Sequence, residues 1–137
     1  MTIETRPMPP VRERDARFWQ ALRAGEFVGE ACGQCGAVRY PTALRCPTCR
    51  SAQAELRALS GRGEIVSACR FHRPYFAEFA DALPYTVIVV RLEEGPLLYA
   101  NLVDEPHALP APGERVRAVL DPLGEHAALV RFERVNA

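Results

Sequence analysis

The chain contains no lysine: all 17 of its basic residues are arginine, set against 17 acidic residues. With alanine and proline abundant, this reads as the codon bias of a GC-rich genome, and no function follows from it. The formal charge is zero, so no global field pulls the protein toward nucleic acid or an anionic membrane. No run of about eighteen apolar residues occurs, which excludes a membrane-spanning helix. The opening MTIETRPMPP lacks a basic-then-apolar leader, so a cytoplasmic location is expected. No glycine-rich phosphate loop is present, because Gly61-Arg62-Gly63 is too short and does not lead into a helix. Internal repeats and low-complexity segments are also missing.

What is present is cysteine in a pattern. Cys32, Cys35, Cys46 and Cys49 form two C-x-x-C pairs within CGQCGAVRYPTALRCPTC. Each pair curls into a knuckle that aims both sulfurs at one point. Gly36 frees the backbone after the first pair, and Pro47 pre-sets a turn inside the second. Two facing knuckles make a closed tetrahedral thiolate cage, the form of a structural zinc site. Two disulfides are the rival, weakened by the absence of secretory features. Iron is a second rival, since the knuckles look like those of rubredoxin, although the segment between them is shorter here. A closed site leaves no position for substrate, so the metal is expected to hold structure. Residues 32–60 carry four arginines and one acid; residues 61–137 carry eight arginines and eleven acids.

The remaining pattern is mainly β. After a proline-rich, extended residues 1–10, a helix is expected over 11–24, with Phe18, Leu22, Arg14 and Val11 on one face and Gly25 as its C-terminal stop. Trp19 sits beside Phe18. A helix this short has to dock onto something, either the protein's own metal module or a partner. Phe27-Val28 leads into the first knuckle, Val38–Tyr40 returns, Pro41 breaks the strand, and Gln53–Leu59 leads out. From Gly61 the pattern becomes short strands with turn residues between them: 63–71, 85–92, 97–103, 115–121 and 127–135. A long loop covers 72–83, a hairpin turn 93–96, a loop with a helical turn 104–113, and a turn 122–124. YTVIVVRL is nearly continuous in apolar residues, as a strand covered on both faces should be. Five strands with this spacing fit an OB-fold barrel, with a five-stranded sandwich fragment as the competitor. The expected units are an extension and docking helix (1–26), a ribbon (27–60) and a barrel (61–137).

FWQAL, FVGEACGQCGAVRYPTALRCPTC, SGRGEIVSACRFHRP and LPYTVIVVRLEEGPLLYANLV follow one another in this order. Together they resemble the family that joins a rubredoxin-like zinc ribbon to an acyl-CoA-associated OB-fold. The resemblance spans about residues 15–135, with all four cysteine positions intact. It implies a non-catalytic subunit that carries structural zinc. It also implies a partner from the thiolase superfamily: a condensing enzyme, an acyltransferase, or an aldolase acting on steroid side-chain CoA thioesters in lipid metabolism. Other members of the family pair with an enoyl-CoA hydratase. The implied role is to stabilise the partner and help line its acyl-CoA channel, in a two-plus-two hetero-oligomer.

Beside that implication stand individual residues. Arg70, His72, Arg73 and Tyr75 open the long loop at a rim that OB-folds use for ligands. Arginines suit the phosphates of CoA, so these four are candidate contacts for CoA or for the partner, with an ordinary loop as the bland alternative. Phe18 and Trp19 are the candidate partner contacts on the helix. Cys69 is expected to share a strand face with Ile65 and Ser67. A nucleophilic reading would pair Cys69 with His72, but the two do not converge along a strand and no third orienting group is evident, so a buried apolar role is expected instead. His107, His126 and the pair Glu93-Glu94 are expected at the surface. A single-stranded nucleic-acid binder is the alternative function, opposed by the acidic barrel segment. An independent enzyme and an electron carrier are further rivals.

Overall fold

The computed structural model describes residues 6–135; residues 1–5 and 136–137, which include part of the expected extension, lie outside them. A single 3-10 turn (Glu13–Asp15) enters α1 (Ala16–Arg23). Three strands follow: β1 (Val28–Cys32), β2 (Val38–Arg39) and β3 (Ala54–Ala58). They form an antiparallel sheet in the order β2–β1–β3. Five more strands build the second sheet: β4 (Arg62–Phe71), β5 (Tyr85–Leu92), β6 (Leu97–Ala100), β7 (Arg115–Leu123) and β8 (Ala127–Arg134). Their order is β6–β5–β4–β7–β8. A parallel bridge from Leu102 to Phe132 brings the chain beyond β6 against β8. The result is a nearly closed, OB-like five-strand barrel, as the strand spacing predicts.

Several details differ from the sequence expectation. The 3-10 turn shifts the helical register, so Asp15 is turned inward while Val11 and Arg14 stay exposed. Buried Asp15 accepts a hydrogen bond from Thr42 Oγ1 at 2.8 Å, tying the helix start to the ribbon. The expected strand 97–103 stops at Ala100, because Leu102 leaves the antiparallel ladder to make the parallel closure. β7 runs on to Leu123, so Pro122 belongs to the strand and not to the turn. The helical turn expected in 104–113 is absent; a 3-10 helix lies instead in the preceding loop, at Ala77–Ala82.

β4 holds the largest surprise. Its register against β5 slips between Ile65 and Ser67, leaving Val66 as the extra residue of a bulge. A bulge reverses the alternation beyond it. Ile65 therefore points into the barrel with Ala68, while Ser67 and Cys69 are exposed on the outside. The expected common face for Ile65, Ser67 and Cys69 is thus overturned, as is the buried role for Cys69. β5 shows the same two-sidedness: Thr86, Ile88, Val90 and Leu92 are buried, and Val87 and Val89 are half-exposed on the outer face.

α1 is the wedge between the two sheets. Gly25, at φ +87°, ends it. Glu26 N–H bonds Ala21 O and Gly25 N–H bonds Leu22 O, the paired bonds of a glycine-stopped helix end. Phe18 and Leu22 are fully buried and belong to one apolar cluster that runs from Phe27, Val28 and Leu59 to Val116, Val130 and Phe132 of the barrel. Phe18 stacks on Trp19 at 5.2 Å and meets the edge of Tyr40 at 5.7 Å, and Phe27 closes on Tyr40. From the last turn Arg23 donates to Gly124 O and Ala127 O, clamping the β7–β8 turn. The bland reading of the helix therefore holds for Phe18, which cannot also reach a partner. Trp19 remains half-exposed. Truncating Phe18 leaves a cavity where ribbon, helix and barrel meet. Phe18→Ala is expected to cost about 3–5 kcal/mol in a denaturant titration, and Trp19→Ala clearly less.

Candidate metal centre and exposed aromatic surface

The two knuckles are built by matching backbone. In the first, Cys32 N–H bonds Ala37 O and Gly36 N–H bonds Cys32 O; in the second, Cys46 N–H bonds Ser51 O and Arg50 N–H bonds Cys46 O. Both place the residue four after the first cysteine at positive φ, +78° for Gly36 and +67° for Arg50. One knuckle meets that demand with glycine. The other forces an arginine into the left-handed region, at a cost of roughly 1–2 kcal/mol. Between the knuckles, Glu30 pairs with Arg39 at 2.9 Å and accepts Ala43 N–H at 2.9 Å, which holds the intervening loop. Gly29 lies where β1 passes β2 closely: a Cβ there would sit 2.5 Å from Arg39 O.

The four sulfurs converge. Cys32 Sγ lies 3.4 Å from Cys49 Sγ, Cys35 Sγ lies 3.6 Å from Cys46 Sγ, and all four are within 4.8 Å of one another. A tetrahedral thiolate site with metal–sulfur bonds of about 2.3 Å needs sulfurs about 3.8 Å apart, so the cage fits a metal ion. The N–H groups of Cys35 and Gln34 draw Cys32 down to about 6. Those of Cys49 and Thr48 lower Cys46. Cys49 goes the other way, to about 11: the Ser51 N–H favours its thiolate, but desolvation and the three neighbouring thiols outweigh it. Four thiolates therefore coexist only with a cation among them. A soft, all-sulfur donor set suits a zinc-like or iron-like ion and not magnesium or calcium.

The remaining candidates fall into two groups. Arg70 is not free to fork onto a phosphate. Its guanidinium donates to Pro106 O at 2.7 Å and His107 O at 3.1 Å, and reaches Thr86 Oγ1 at 3.4 Å. Thr86 is buried, and Glu105 accepts from both its N–H and its hydroxyl. Arg70 is therefore part of a clasp that closes the barrel mouth. His72, Arg73 and Tyr75 are exposed, with the Arg73 guanidinium 5.7 Å above the Tyr75 ring. The Cys69 thiol is exposed and its sulfur lies 3.9 Å from Arg70 O. His107 and His126 are exposed. Glu93 pairs with Arg62, and Glu94 accepts Ser60 N–H at 2.6 Å, linking the ribbon's exit to the β5–β6 hairpin.

Sequence inspection missed the company Tyr75 keeps. Tyr75 packs edge-on to Phe71, Phe71 stacks on Tyr85, Tyr85 meets Phe79, and Phe79 meets Phe76, with successive centroids 5.2–6.3 Å apart. The Arg6 guanidinium lies 5.7 Å over the Phe79 ring. The cross-strand pair Phe71–Tyr85 carried the signal, but only once the hairpin register is known. Tyr75, Phe76, Leu97 and Tyr99 all remain largely exposed, Tyr99 at 80%. Aromatic side chains are enriched at protein interfaces relative to the rest of the surface.

Residues 19–55 match the model of the ChsH2 rubredoxin-like zinc ribbon domain, and residues 56–121 that of the ChsH2 C-terminal OB-fold domain. A DUF35 domain-containing scaffold protein of Methanothermobacter thermautotrophicus is 37% identical over 90 residues, covering 64% of this chain and 67% of that protein. A probable enoyl-CoA hydratase alpha subunit of Thermomonospora curvata is 32% identical over 98 residues, 72% of this chain but only 30% of the relative. The chain thus spans about two thirds of the first and under a third of the second. Among solved structures, the Ltp2-ChsH2(DUF35) aldolase superposes with a TM-score of 0.76 at 26% identity, over 93% of this chain and 98% of the matched one. No helix among the described residues is long and apolar enough to cross a membrane.

The strained knuckle gives a direct check. Arg50→Gly is expected to raise thermal stability by about 1 kcal/mol and to slow metal loss to a chelator. Gly36→Ala should do the reverse.

Proposed function

Since this chain belongs to the family of DUF35 scaffold proteins, with a ChsH2-type zinc ribbon joined to a ChsH2-type OB-fold, we propose that it is the non-catalytic, zinc-carrying subunit of an acyl-CoA enzyme complex. The observation that carries this reading is the near end-to-end likeness to the matched chain of the Ltp2-ChsH2(DUF35) aldolase. The partner on this reading is a thiolase-superfamily enzyme that condenses, transfers or cleaves an acyl-CoA thioester, and the catalytic residues belong to it. The relative named as a hydratase alpha subunit supports CoA thioesters as the shared chemistry.

The residues of this chain would act as scaffold. Cys32, Cys35, Cys46 and Cys49 hold zinc, which supplies a rigid cross-link and no open coordination position. The exposed run of Tyr75, Phe76, Leu97 and Tyr99 presents the contact surface, with Trp19 as a further anchor. Arg73 and His72 lie beside it, placed to meet the partner or the phosphates of its CoA. Aromatic side chains bring large contact area at low entropic cost, which is why they dominate interface energetics.

Two measurements test this. Elemental analysis should find one zinc per chain in a colourless protein; iron and a red colour would overturn the metal assignment. Co-expression with a thiolase-like or aldolase protein encoded beside it should give a complex on gel filtration. Tyr75→Ala or Phe76→Ala should weaken that complex about tenfold or more while leaving the zinc in place. If no such complex forms, and the chain instead binds single-stranded DNA with steep salt dependence, the nucleic-acid reading replaces this one.

A further inference from the structure

β3 is the outer strand of its sheet, and among the described residues no strand lies beyond it. All of its residues, Ala54-Glu55-Leu56-Arg57-Ala58, are exposed. Its inner edge is satisfied by β1: Leu59 N–H donates to Phe27 O and Gly33 N–H donates to Gln53 O, both at 2.9 Å. Residues 53, 55, 57 and 59 therefore turn their backbone groups toward β1. By alternation, Ala54, Leu56 and Ala58 turn theirs outward. Free edges in natural sheets are blunted by short length, charged side chains, proline, a bulge or a covering element. β3 is short and carries two charges, Glu55 and Arg57, but among the described residues it has no proline and no strand on its outer side, and its register against β1 is unbroken from Val28–Ala58 to Cys32–Ala54.

The sequence of this edge is complementary to itself. When two copies run antiparallel about a two-fold axis through Leu56, Leu56 faces Leu56 and Ala54 faces Ala58. All of these are positions whose N–H and C=O groups point outward, so each pairing makes a full pair of ladder hydrogen bonds. On the opposite face of the ribbon, Glu55 of each copy then stands against Arg57 of the other. Within one chain these two side chains lie 3.6 Å apart and are half or more exposed, so both can change partner. The neighbouring registers that keep the same backbone groups facing outward set Glu55 against Glu55, or Arg57 against Arg57, and like charges directly opposite oppose pairing. One register alone combines the ladder with attraction.

We propose that the free edge of β3 is a self-association surface, on which a second copy of this chain docks its own β3 in antiparallel register centred on Leu56. The two three-stranded ribbon sheets become one continuous sheet across the two-fold axis. The surface lies on the ribbon, whereas the exposed aromatic run lies on the barrel, and the proposal does not depend on which enzyme that run meets.

The test uses the full metal-loaded chain alone, in sedimentation velocity over a concentration series, with metal content checked for every variant. The wild type is expected to show a concentration-dependent dimer that weakens with salt. E55R places two arginines opposite each other in both cross-strand charge pairs, and R57E places two glutamates there. Each should weaken self-association about tenfold. An equimolar mixture of E55R and R57E should associate, because all cross-strand charges are again opposite, and the double variant E55R/R57E should recover the homodimer. A wild type that stays monomeric throughout overturns the proposal. So does a dimer indifferent to both single variants, or a mixture that fails to pair. If the isolated chain is monomeric and E55R instead disrupts the enzyme complex, the edge belongs to a strand of the enzyme partner, and self-pairing is excluded.

Discussion

Four cysteine sulfurs held within 4.8 Å of one another cannot all be anions unless a cation sits among them. The thiols already show the conflict: two are pulled toward ionisation by the amides of their own knuckles, and Cys49 is pushed far the other way. A bound ion turns that repulsion into four bonds. The ribbon needs this, because its strands are short and β3 is wholly exposed. Its apolar residues, Phe27, Val28 and Leu59, face the helix and the barrel, so it has no separate core of its own. The shared core holds it at one end, and a metal ion among the four cysteines would hold it at the other.

That shared core decides how the parts relate. α1 does not decorate the ribbon; it fills the junction. Phe18 and Leu22 pack into a cluster continuous with the inside of the barrel, and Arg23 reaches across to the β7–β8 turn. The two sheets are linked a second time where Glu94 takes up Ser60 N–H. The barrel mouth is closed by a polar clasp of Arg70, Thr86 and Glu105. Each of these links joins residues far apart in the chain. Of the large apolar side chains left exposed, Tyr75, Phe76, Leu97 and Tyr99 lie on the barrel, and Leu44 and Leu56 on the ribbon.

Local chemistry was legible in the sequence and long-range register was not. The C-x-x-C spacing named the four sulfurs that the fold brings together, and Gly25, Gly61 and the Glu93–Pro96 turn marked where elements end. β5 was read to the residue because its apolar run is bounded on both sides. The bulge at Val66 left no mark, since alternation reads the same until the partner strand is known. It reversed the face of Cys69. The parallel closure at Leu102 and the strained backbone of Arg50 depend on contacts that one segment alone does not contain. Only an overlay of the second knuckle on the first would have placed Arg50 opposite Gly36. Arg70 looked like a free cation because the carbonyls of Pro106 and His107, more than thirty residues on, were not in view.

The position of Trp19 has an optical consequence. It is the sole tryptophan in the chain, and it stacks on Phe18 at the point where ribbon, helix and barrel converge. Its indole is half in solvent, so its emission is sensitive both to loosening of the core beneath it and to anything that settles over it. The molecule therefore carries a built-in fluorescent gauge at its own seam. Metal extraction at the knuckles, separation of the two sheets and arrival of a partner at the helix would each be read from one chromophore, without a label.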